Sequence, residues 1–231
     1  MTQHLIWTAG FLGHLLLLGV LVVRGRAQRF PFFTLLIFFY LLRSLAILLL
    51  LGHLAPPALH LASLVFDITD LLLECAVLTQ LVFVGLRPLD MLHRVLLPLL
   101  LLVSAALVVT HLVPVGRYYT RAAPLLLHYY LAVFMLEWAF VLLFLLHSLG
   151  LTWRSHVAAI SFGFGVYSAA LLFAGGYFSN GRELRDYIFF SYFRICVYLL
   201  VVLWWIVTLW LQDRRQDHHQ DVYSDRIPAK T

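Results

Sequence analysis

Charge is scarce in this sequence. Of its 231 residues only 12% are Asp, Glu, Lys or Arg, about half the roughly 25% usual in a soluble domain. That shortage excludes a water-soluble globule. With 63% hydrophobic residues, the chain has more apolar surface than a core of its size can hide, and lipid must solvate most of it. Cysteine is scarce too. Cys75 and Cys196 lie in separate apolar runs, with neither metal-ligand spacing nor a redox pair, and are expected to be buried, inert thiols. There is no positive n-region: Met1-Thr2-Gln3-His4 leads into an apolar run that ends at Arg24, Arg26 and Arg29. That order is the reverse of a cleavable signal peptide, so the first run is expected to remain as a helix. The net charge of +5 comes from arginines set between apolar runs. Nothing resembles a basic patch with interleaved aromatics, so nucleic acid is excluded as a partner and the lipid bilayer is the expected one.

Long apolar runs are what the sequence does have. A spanning helix needs about 20 mainly apolar residues, and seven segments qualify, at about 5–23, 32–51, 58–86, 95–113, 124–149, 155–176 and 187–211. Their breaks carry loop chemistry: Pro31, Pro56-Pro57, Arg87-Pro88, Pro114 with Gly116, Gly150, and Gly175-Gly176. The expected fold class is all-α, a polytopic seven-transmembrane-helix bundle over residues 1–211. A polar tail, 212–231, is expected to be disordered. No second domain or internal repeat emerges. With the N-terminus outside, ten basic residues fall on the cytoplasmic side and four on the outer side, Arg43 and Arg194 lying within spans. The positive-inside rule therefore predicts an outer N-terminus and a cytoplasmic C-terminus.

Six charged residues fall inside the expected spans: Arg43, Asp67, Asp70, Glu74, Glu137 and Arg194. Such groups are costly in hydrocarbon and turn to partners, water or an interface. Counted from the cytoplasmic ends, Arg43, Glu74 and Glu137 each come out about 18 Å deep, Asp70 near 24 Å and Arg194 near 27 Å, in a core of roughly 30 Å. Asp67, Asp70 and Glu74 recur at i, i+3, i+7 and share one helix face. The expectation is an inward acidic stripe in a two-tier network. Arg43 meets Glu74 and Glu137 near the midplane, and Arg194 meets Asp70, with Asp67 beside it, above. These six are the candidate ligand- or ion-binding residues. Charge pairs of this kind also fix helix register without binding anything.

Weaker signals accompany them. His53, His60, His111 and His128 fall toward the outer side, but no helix carries the i, i+3 or i, i+4 pairing of a metal site, so no metal centre is assigned. Ser161, Gly165 and Ala169, joined by Gly163, form a small-residue ridge suited to close packing within the bundle, with a homo-oligomer face as the alternative. Tyr167 and Tyr192 are candidate donors into the interior, while most other tyrosines and tryptophans, Trp204, Trp205 and Trp210 among them, read as interfacial anchors. Nucleophile-elbow, Walker, HExxH and kinase signatures are absent, and no catalytic residue is assigned.

Arg29-Phe30-Pro31-Phe32-Phe33, Gly85-Leu86-Arg87-Pro88-Leu89, the run from Leu149 to Arg154, and Ser161-Phe162-Gly163-Phe164-Gly165 together resemble a group of small, uncharacterised bacterial seven-helix membrane proteins. The likeness covers the seven segments and stops before the tail. It implies a bacterial cytoplasmic membrane but no activity, cofactor or ligand. A looser similarity is to the seven-helix sensor regions of some bacterial histidine kinases. The leading expectation is a non-enzymatic sensor or accessory subunit with a polar intramembrane site, whose cytoplasmic loops and tail contact a protein partner. The alternatives are a small transporter or proton-coupled permease, and a membrane-embedded enzyme acting on lipid or quinone.

Overall fold

The computed structural model describes residues 2–50, 56–85, 123–148, 155–178 and 184–211, and all its regular elements there are α-helices. They are α1 (Thr2–Val23), the single turn α2 (Arg26–Arg29), α3 (Pro31–Leu50), α4 (Pro56–Gly85), α5 (Ala123–Ser148), α6 (His156–Phe178) and α7 (Leu184–Leu211). Six of the seven expected segments thus appear with ends within a few residues of those read from loop chemistry. The segment at 95–113 and the tail at 212–231 lie outside the described residues. Five helices, all but α2 and α4, are long and apolar enough to cross a membrane. The chain is a multi-pass membrane protein.

Local chemistry sets the ends. α1 stops at Gly25, whose φ of 65° is left-handed and whose N–H reaches the carbonyl of Val22 at 3.0 Å; glycine adopts this turn without a Cβ clash. Phe30 then drops into the interior, fully buried, and Pro31 opens α3. The exposed amides at the start of α3 are met from α4. The Gln80 carbonyl oxygen accepts from the N–H groups of Phe32 (3.1 Å) and Phe33 (3.4 Å), while its amide donates to the carbonyl of Arg29 (3.2 Å). One side chain therefore satisfies two of the donors that a helix start leaves open and closes the turn carrying Arg24, Arg26 and Arg29. At α6, the hydroxyl of Ser155 accepts from the N–H of Ala158 at 3.2 Å, as an N-cap does.

The long helices form a ring in the order α1, α3, α4, α5, α6, α7 and back to α1. Directions follow from particular contacts. Arg24 lies 4.2 Å over the ring of Trp210, so α1 and α7 run parallel and end together. A side chain at Gly85 would meet Leu146 at 3.3 Å and Val157 at 3.1 Å, which places the ends of α4 and α5 beside the start of α6. Helices α1, α4, α5 and α7 thus end at the face bearing the arginine turn, while α3 and α6 start there.

The half of the ring nearest that turn is filled with apolar side chains: Leu17, Leu21, Phe33, Leu36, Ile37, Leu81, Ile160 and Leu209 are fully buried. Trp205 sits at its centre, edge-on to Phe33 and against Phe164, each ring 5.1 Å away. Its indole occupies the space left by Gly163, where a Cβ would overlap it at 2.2 Å. Leu16, Phe144 and Leu211 point outward, the surface expected against hydrocarbon.

Several expectations need correcting. Trp205 is a core residue, only 2% exposed, and no interfacial anchor. Cys196 is exposed and Cys75 half-buried, so neither is a core thiol. Of the small-residue ridge, Ser161 is buried and Gly165 packs tightly on Ala139 of α5, but Ala169 is exposed. The reason is common to these cases. Helices apolar on every side do not announce which face turns inward.

Candidate functional site

Above the apolar half, toward the face away from the arginine turn, the ring opens into a cavity of about 460 Å³. All six long helices line it: His14 from α1; Tyr40, Arg43, Ser44 and Ile47 from α3; Asp70 and Glu74 from α4; Leu131, Ala132 and Met135 from α5; Phe164, Tyr167, Ser168 and Leu171 from α6; Arg194 and Tyr198 from α7. Its volume lies within the roughly 300–1,000 Å³ range of small-molecule sites.

The α3 and α4 walls form one hydrogen-bonded register. Arg43 donates from Nη2 to Asp67 at 2.9 Å and from Nη1 to Asp70 at 3.3 Å, bridging successive carboxylates of the acidic stripe. One turn closer to the arginine face, the Tyr40 hydroxyl donates to Glu74 Oε1 at 3.3 Å. With Gln80 at the start of α3, these contacts trace a continuous antiparallel pairing. Arg43 therefore meets Asp67 and Asp70, not Glu74 and Glu137. The depth count fails because it sets the ends of the two helices level. Gln80 already sits opposite Phe32, so α4 overshoots the start of α3 by about five residues, roughly 7 Å of helix.

A cluster of rings forms the wall behind Glu74. His14 lies 5.4 Å from Tyr40 and 5.6 Å from Tyr198, and Tyr167 stands 5.1 Å from Tyr198. The His14 Nε2 bonds the Tyr198 hydroxyl across α1 and α7. Apart from Tyr167 this group was not singled out in the sequence, although a histidine at position 14 of an otherwise apolar span was a signal of the same kind as the acids of α4. Tyr167 lies on the cavity as expected; Tyr192 is exposed and is not part of its lining.

Arg43, Asp70, Glu74 and Arg194 of the six expected residues line the cavity, and Asp67 joins through Arg43. Glu137 is not among the lining residues. The buried face of α5 runs through Ala132, Met135, Ala139, Leu142 and Leu146, and Glu137 is turned about 200° from Met135 on the helix. Arg194 lines the cavity from α7 but makes no ion pair with Asp70; α4 and α7 do not touch among the described residues. His53 and His111 lie outside the described residues, as do the side chains of His60 and His128. Among the described residues no His, Cys, Asp and Glu side chains converge as metal ligands.

The arrangement could accommodate a small polar ligand. It places charged residues of both signs, three tyrosines, an imidazole and two serines around a central space with an apolar floor. The chain matches no family model, no curated protein and no solved structure.

Proposed function

We propose that this protein is a non-enzymatic membrane sensor or accessory subunit that binds a small polar molecule in the central cavity. The observation that carries the reading is the cavity's position. It is shared by all six long described helices and backed by the apolar core around Trp205. A ligand there touches every wall and shifts the packing of the whole ring, whereas the core, among the described residues, is apolar between the cavity and the arginine face. This favours sensing over passage.

The seven-span, N-out arrangement belongs to the same proposal, with the arginine turn in the cytoplasm and the cavity facing outward. Parallel α4 and α5 support it. The chain leaves α4 at one face and enters α5 at the other, and a span at about 95–113 would supply that return. The resemblance to small bacterial seven-helix proteins supports a bacterial cytoplasmic membrane as its location. Its loops and tail there would meet a protein partner.

The test uses the full chain in nanodiscs and in liposomes. A panel of small polar solutes is screened for thermal stabilisation, and each hit is assayed for flux. Stabilisation without flux, lost on filling the cavity by Leu171→Trp, supports the sensor. Flux that depends on Glu74 selects the permease instead. A cysteine placed at Ser44 that stays inert to a water-soluble thiol reagent, in a chain with Cys75 and Cys196 replaced by serine, would mean a dry cavity and would refute both.

A further inference from the structure

We infer that the cavity takes a small zwitterion, a molecule with a cationic nitrogen at one end and a carboxylate at the other. The inference rests on the binding role proposed above and adds the ligand's chemical class. Two ionisable groups in the cavity lack an ion-pair partner within 4 Å among the described residues, and their charged forms are of opposite sign. Glu74 accepts only from the neutral Tyr40 hydroxyl, because Arg43 is engaged by Asp67 and Asp70. Arg194 lines the space with no described carboxylate beside it.

The ring separates these two. α4 and α7 do not touch among the described residues, α6 standing against both, and Glu74 and Arg194 form no ion pair with each other. A simple anion would satisfy Arg194 and bring its charge toward the carboxylates of α4. A simple cation would satisfy Glu74 and leave Arg194 alone. Only a ligand with both charges, separated along its length, complements both walls.

The surroundings fit each end. Tyr40 bonds Glu74 and packs on Tyr198, which packs on Tyr167, so aromatic rings border the space beside the carboxylate and can attract an ammonium there. The Arg194 guanidinium presents a planar fork suited to a carboxylate. Ser168, buried on α6 between these walls, adds a hydroxyl.

The experiment is calorimetric titration of the full chain in nanodiscs with glycine, 4-aminobutyrate and 6-aminohexanoate, each against its matched amine and matched carboxylic acid. At least one amino acid should bind tenfold or more tightly than both of its one-charge controls. Glu74→Gln keeps the acceptor for Tyr40; it should weaken the amino acid and the amine tenfold or more and leave the acid unchanged. Arg194→Gln, at an exposed position, should weaken the amino acid and the acid and spare the amine. Equal binding of the amino acid and a one-charge control overturns the zwitterion, as does a variant that weakens amine and acid alike. If a one-charge compound binds and Leu171→Trp abolishes it, the zwitterion falls and the ligand-binding reading survives. If no charged compound binds and Ser44→Cys is also unreactive, both fall.

Discussion

Replacing Gly163 with alanine tests the packing that closes the floor of the cavity. A methyl group there would lie 2.2 Å from the Trp205 Nε1, 2.6 Å from Cε2 and 2.9 Å from Cζ2. The indole has nowhere to withdraw, because Phe33 and Phe164 hold it from two other sides at 5.1 Å. Overpacking a tight core costs about 1–3 kcal/mol, and the contact with a rigid ring places this case at the upper end. Alanine recovers about 0.5–1 kcal/mol of helix propensity, leaving a net loss of about 2 kcal/mol. Gly19→Ala is the control, since none of the described residues lies within 4 Å of its Cβ position; it should be neutral or stabilising by up to about 1 kcal/mol. Reversible unfolding by SDS in mixed micelles should separate the two variants by about 2–3 kcal/mol. Trp205→Leu should relieve most of the Gly163→Ala cost, so the double variant should be more stable than the sum of the singles by at least about 1 kcal/mol. If Gly163→Ala behaves like Gly19→Ala, the indole does not occupy the space that the glycine leaves.

Three further outcomes are expected. Gln80→Leu removes the acceptor for the Phe32 and Phe33 amides and should cost about 1 kcal/mol or more, read as a lowered thermal midpoint, with faster proteolysis at the arginine turn; an unchanged midpoint would dismiss the tie. In a double-mutant cycle, Arg43→Gln and Asp70→Asn should couple by up to about 1.7 kcal/mol, the upper end for polar pairs between membrane helices, whereas Arg43→Gln and Glu74→Gln should couple less. The reverse order would restore the pairing expected from depth alone. A reporter fused after Thr231 should be active only when it requires the cytoplasm, and one that works only outside would invert the proposed topology.

Much of this architecture was legible in the sequence because lipid imposes a length. Runs of about 20 apolar residues, bounded by Pro31, Pro56-Pro57 and Gly150, gave helix ends close to those observed. The i, i+3, i+7 spacing of Asp67, Asp70 and Glu74 put them on one face, and in the structure Asp70 and Glu74 line the cavity while Asp67 holds Arg43. Relative height was not legible. It depends on how far one helix slides past another, and Gln80 sets that slide through contacts 48 and 47 residues away in the chain. Rotation was not legible either. α5 is so evenly apolar that Glu137 was as plausible an inward residue as Met135, and only packing of Ala139 on Gly165 decides between them. His14 and Tyr198 were missed for a related reason: a single polar residue in an apolar span has no pattern until its partner, 184 residues on, is beside it.

The Gln80 tie gives α4 a mechanical role. Glu74 faces the cavity less than two turns above it on the same rod, and the amide of Gln80 grips both the first residues of α3 and the carbonyl of Arg29. A piston stroke or roll of α4 therefore cannot stay local, because it must either drag the arginine turn along or release those three bonds together. Under the proposed binding role, occupancy of the cavity would thereby be geared to the shape of the arginine turn at the far end of the bundle.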